Sequence, residues 1–78
     1  MIDLSGATVL PGLIDAHTHL ADPIQGASSA DPLTTSAAQN AFTGARQARA
    51  TLLAGFTTVR DVGTYRAYVD AALRNAIN

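Results

Sequence analysis

The stretch Thr8-Val9-Leu10-Pro11-Gly12-Leu13-Ile14-Asp15-Ala16-His17-Thr18-His19-Leu20 decides how this chain is read. It is apolar for most of its length, and Pro11 and Gly12 fall near its beginning, where a strand tolerates proline. The pattern predicts a buried strand over 9–20. Side chains of a strand point alternately to its two faces, so Asp15, His17 and His19 share one face and Ile14, Ala16 and Thr18 the other. Both histidines of the chain lie here. Two residues of rise separate their Cα atoms by about 6.6 Å, a gap across which two imidazoles can converge on one ion at about 2.0–2.1 Å per bond. Neutral imidazole suits zinc and related divalent ions. The competing reading is a strand end with one solvated and one hydrogen-bonded histidine.

Outward from this stretch the periodicities change. Residues 21–35, with Asp22-Pro23, Asp31-Pro32 and Ser28-Ser29, read as a loop that is long for a strand-to-helix connection. Over 36–54, Ala38, Ala41, Phe42, Ala45, Ala48, Leu52 and Leu53 recur at helical spacing. Ser36 is the expected N-cap, and Gly55 suits the position after the C-cap. A second strand is expected over 56–61, rich in threonine, valine and phenylalanine. Thr64 is the expected cap of a last helix whose apolar stripe runs through Tyr68, Val69, Ala72, Leu73, Ala76 and Ile77. Tyr65 and Tyr68 are read as packing residues. The order strand, helix, strand, helix implies parallel strands joined by a right-handed crossover. Met1 to Leu4 reads as a short extended piece and Ser5-Gly6 as a turn.

Pro11-Gly12-Leu13-Ile14-Asp15-Ala16-His17-Thr18-His19 resembles the first barrel strand of the amidohydrolase superfamily, and Ala54-Gly55-Phe56-Thr57-Thr58-Val59-Arg60-Asp61-Val62-Gly63 resembles its second. The nearest likeness is to the imidazolonepropionase and prolidase-like branch. The resemblance implies an α/β fold, a partial (β/α)8 TIM barrel of roughly the first two β/α units. A full barrel takes about 250 residues, and this chain has 78. Residues 1–8 would be the remnant of a preceding small β-domain, and residues 9–78 the two barrel units. By the same resemblance, His17 and His19 are metal ligands, with zinc the expected divalent ion. The remaining ligands, a carboxylated lysine, further histidines and an aspartate, would come from later strands. The implied reaction is hydrolysis of an amide, lactam or dipeptide C–N bond in a small molecule by metal-activated water. The short chain alone is expected to be inactive unless assembled, with a homo-oligomer or a complementary barrel segment as partner. The alternative from another class is a stand-alone, non-catalytic α/β module that self-associates and binds metal incidentally.

Composition narrows the chemistry. The chain has no cysteine, which removes a disulfide frame, a thiolate nucleophile and cysteine-ligated zinc. It has no lysine and no glutamate either, and its five arginines and six aspartates leave a formal charge of −1. That balance gives no nucleic-acid surface and no polybasic membrane patch. Hydrophobic residues make up 47%, far from a disordered composition. No signal peptide or run of transmembrane length is visible, so the expectation is a cytoplasmic protein. No catalytic residue is assigned. Asp15 is read either as a group orienting a histidine ring or as a buried carboxylate bonded to backbone. Asp61, at the end of the second strand, is read as orienting a loop, contacting substrate, pairing with Arg60 or capping the next helix. Thr57-Thr58 has no third histidine to act as a base, which argues against a threonine nucleophile.

Overall fold

The computed structural model describes residues 1–22 and 34–78. The expected loop turns at Asp31-Pro32 and Ser28-Ser29 lie outside the described residues. The element order is β1 (Leu13–Thr18), α1 (Ala37–Leu53), β2 (Phe56–Asp61) and α2 (Val69–Ile77). The two strands pair in parallel as a two-stranded sheet, as the alternating periodicities require.

β1 is shorter than the expected 9–20. Pro11 has no N–H to give to a ladder, and Leu13 N–H opens the pairing by donating to Gly55 O at 2.8 Å. At the other end, Leu20 N–H donates to the Asp61 carboxylate at 2.9 Å rather than to a strand. Pairing runs Leu13 to Phe56, Ile14 to Thr58, Asp15 to Val59 and Thr18 to Asp61. Thr57 is therefore the extra residue of β2, while Ala16 and His17 of β1 face the single Arg60. Such irregularities bend a strand and re-aim its side chains. Gly12 is required beside the first of them. A Cβ on Gly12 would lie 2.6 Å from Thr57 Cβ and would collide with the rest of that side chain.

α1 begins where its cap chemistry dictates. Ser36 Oγ accepts from Gln39 N–H at 3.2 Å, and Gln39 Oε1 accepts from Ser36 N–H at 2.9 Å. This is a complete capping box. It ends at Ala54, followed by Gly55 at φ +99°, a conformation glycine adopts without steric cost.

The buried face of α1 is not the alanine-leucine stripe. Asn40 and Gly44 are its buried residues, while Phe42, Leu52 and Leu53 are exposed. Gly44 brings the helix close to its neighbours: a Cβ there would stand 2.9 Å from Leu73 Cδ2 and 3.3 Å from Ala21 Cα. The apolar core among the described residues is small, made of Ala21, Val69 and Leu73. A two-stranded sheet has too little surface to cover the rest of the stripe.

α2 starts later than Thr64 suggests. The Thr64 hydroxyl is engaged by the Arg66 carbonyl, so it closes a local turn instead of capping. The N-cap is Tyr68 at φ 65°, with no side-chain cap bond. Val69 and Leu73, one turn apart, are the buried pair of the helix. Tyr65 and Tyr68 are exposed and are not packing residues. Residues 1–12 carry no strand and stay exposed. The turn at Ser5-Gly6 is present, closed by Ala7 N–H to Leu4 O at 2.9 Å. The Ser5 amide and then its hydroxyl hold the Asp3 carboxyl below its ordinary pKa. Among the described residues, no helix is long and apolar enough to cross a membrane.

Candidate metal centre

Parallel pairing sets the C-terminal ends of β1 and β2 side by side, with Thr18 opposite Asp61. Thr18 Oγ1 donates to Arg60 O at 3.2 Å, and Val62 N–H donates to Thr18 O at 3.0 Å. These bonds extend the ladder to the point where the histidines emerge.

His17 is the penultimate residue of β1, and His19 follows the strand. Their ring centroids lie 5.4 Å apart at an interplanar angle of 70°. Both residues are exposed. The His19 ring is held: Nδ1 lies 2.6 Å from Gly63 O. A carbonyl oxygen only accepts, so Nδ1 is the donor of this bond, and in the neutral ring Nε2 keeps its lone pair. Asp22 supports the same assignment, with Oδ2 3.9 Å from Nδ1. Asp22 is itself fixed, because its Oδ1 accepts from Tyr65 N–H at 3.2 Å.

Asp15 is half-buried, and its Oδ1 accepts from the backbone N–H of His17 at 3.0 Å. It thus touches the backbone of the first histidine. Asp61, also half-buried, uses both oxygens on backbone: Oδ2 accepts from Leu20 N–H at 2.9 Å and Oδ1 from Gly63 N–H at 3.0 Å. Its carboxylate joins the chain just after His19 to the residue whose carbonyl holds the His19 ring.

Two contributors escape a reading by motif. Gln47 of α1 donates through Nε2 to Leu20 O at 2.7 Å and to Asp22 O at 2.8 Å, tying the turn after β1 to the helix. Its signal was a polar residue on the same helix face as Gly44. Asp22 was visible only as half of an Asp-Pro turn. Among the described residues, no group of three or more histidine, cysteine, aspartate or glutamate side chains could hold a metal ion. In donor type, two imidazoles suit a divalent transition ion.

The two parallel strands and two helices form an α/β unit with polar side chains gathered at the C-terminal ends of the strands. Residues 8–78 match the Amidohydrolase family, and the chain belongs to that family. No curated protein and no solved structure gives a match. Membership carries hydrolase chemistry as the class of activity.

Proposed function

We propose that this chain forms the first two β/α units of a (β/α)8 barrel in a metal-dependent amidohydrolase of the imidazolonepropionase and prolidase-like branch. Residues 1–8 belong to a preceding β-domain in this reading. The substrate class is a small amide, lactam or dipeptide, cleaved at its C–N bond. His17 and His19 are the ligands this chain offers to a divalent ion, zinc foremost. When bound, such an ion lowers the pKa of water and polarises a carbonyl oxygen. The chain's own part is to present two neutral imidazoles. Asp15 sets the backbone at His17, and Gly63 and Asp22 keep the proton of His19 on Nδ1, so that Nε2 is available. Further donors come from other strands, because two histidines leave positions open.

The observation that carries this reading is the 2.6 Å bond from His19 Nδ1 to Gly63 O, with the second ring 5.4 Å away. A solvated surface histidine has no need of a fixed tautomer. Barrel continuation is supported by the sheet. Leu13 and Ile14, on opposite faces of β1, are 55% and 70% exposed, and a parallel sheet is stable when both faces are covered. The test is zinc titration by calorimetry of the chain and of its His17→Ala, His19→Ala double variant. Loss of uptake in the variant is expected, and equal uptake would end the assignment.

The same exposed residues favour a second reading, a self-associating module whose metal binding is incidental. Native mass spectrometry with and without zinc separates the two. Ion binding by a module would leave its oligomer size unchanged, whereas a barrel piece requires a complementary segment for hydrolysis.

A further inference from the structure

We propose that Asp61 is a positioning residue for His19, acting through Gly63. This rests on the reading of His17 and His19 as ligands. The argument begins with the path of hydrogen bonds. His19 Nδ1 donates to Gly63 O at 2.6 Å, Gly63 N–H donates to Asp61 Oδ1 at 3.0 Å, and Asp61 Oδ2 accepts from Leu20 N–H at 2.9 Å. Leu20 follows His19 in the chain, so the path closes into a ring. One carboxylate fixes the carbonyl that selects the tautomer and also the backbone that carries the imidazole.

Each member has a physical reason to be the residue it is. Only a group with two acceptor oxygens on one rigid plane can take both amides, which a carboxylate does and a carboxamide does not. Gly63 sits at φ +130° with nothing within 4 Å of where a Cβ would stand. The glycine is thus demanded by backbone conformation and not by crowding. The turn aims its carbonyl back across the strand ends at a residue 44 positions earlier. Hydrogen bonds that orient a ligand histidine set its tautomer and raise its basicity, and their loss costs about ten- to hundredfold in metal affinity. Asp61 reaches no ring itself. Its effect on the ion passes entirely through Gly63 and the backbone at Leu20.

The experiment uses the full chain labelled with 15N-histidine, with its imidazoles neutral. In the metal-free protein, long-range proton–nitrogen spectra should report His19 as the Nδ1–H tautomer. His17, whose ring lies outside the hydrogen-bonded path, is the internal reference. In Asp61→Asn, His19 should move to a mixture of tautomers while His17 is unchanged, and zinc affinity should fall about ten- to hundredfold. Gly63→Ala, which displaces the carbonyl without altering any charge, should give the same paired signature. It decides the matter if Asp61→Asn loses its helical circular dichroism. An Nε2–H tautomer for His19 in the unmodified chain overturns the proposal. So does a tautomer that stays fixed in the folded variant, or, where the double histidine variant has lost zinc binding, a change in tautomer or in affinity without the other. Failure of the ligand assignment reads differently: the double histidine variant would then bind zinc as the parent does, while the metal-free tautomer result stands by itself.

Discussion

Gly12 and Thr57 provide a test of the sheet that is independent of any metal. Gly12→Ala places a Cβ 2.6 Å from Thr57 Cβ and in collision with the hydroxyl and methyl of that residue. Overpacking of this kind costs about 1–3 kcal/mol. The reduced freedom of the unfolded chain returns about 0.4–1 kcal/mol when glycine becomes alanine. The steric term is the larger, and a net loss of about 1–2 kcal/mol is expected. The partner variants should rescue in steps. Thr57→Ala removes the outer atoms but leaves the close Cβ, so the double variant recovers only part of the loss. Thr57→Gly removes the Cβ as well and should abolish the clash. The assay is urea unfolding followed by far-ultraviolet circular dichroism, read as a midpoint shift at constant slope. A coupling energy of about 0.5–3 kcal/mol is expected between these touching residues. Additivity within about 0.3 kcal/mol would refute the pairing that places Thr57 against Gly12.

Gly44→Ala should also destabilise. Helix propensity gains about 1 kcal/mol, but the new Cβ meets Ala21 Cα at 3.3 Å, and backbone yields less readily than the Leu73 methyl. A net loss of up to about 2 kcal/mol in urea unfolding is expected, and a gain would show that α1 stands farther from the β1 exit turn. The thermal midpoint of the isolated chain should rise with protein concentration, because its apolar core among the described residues is Ala21, Val69 and Leu73, too little for a lone domain. A cooperative midpoint unchanged over a hundredfold dilution would contradict this.

Much of the architecture is legible in the sequence, because it is written in local chemistry. Ser36 and Gln39 announce the start of α1 through side-chain bonds to neighbouring amides, and Gly55 announces its end through a conformation alanine resists. β2 follows from a run of β-branched residues. The features that mislead depend on what lies across from a residue. The stripe of Phe42, Leu52 and Leu53 has the spacing of a buried face, yet α1 packs through Asn40 and Gly44, since close approach to Leu73 and Ala21 is what that neighbour offers. Thr64 has the right chemistry for a cap, but the Arg66 carbonyl competes for its hydroxyl. The strand register could not be foretold either, because one irregularity arises where Thr57 must fit over the glycine just before β1. At the candidate site, the histidines stand out by spacing alone. Gly63, Gln47 and Asp22 act through backbone carbonyls and amides brought in from far along the chain, and no local pattern encodes those partners.

The bond between His19 and Gly63 also bears on how the chain is made. During synthesis at about 5–20 residues per second, the histidine precedes its partner carbonyl by about 2–9 s. Through that interval α1 can form from its own local bonds, while either nitrogen of the His19 ring is free to carry the proton. The preferred tautomer arises only when β2 docks, after the entropy of closing a long loop has been overcome. Before docking the ring has no selected tautomer, and after docking it is already aimed.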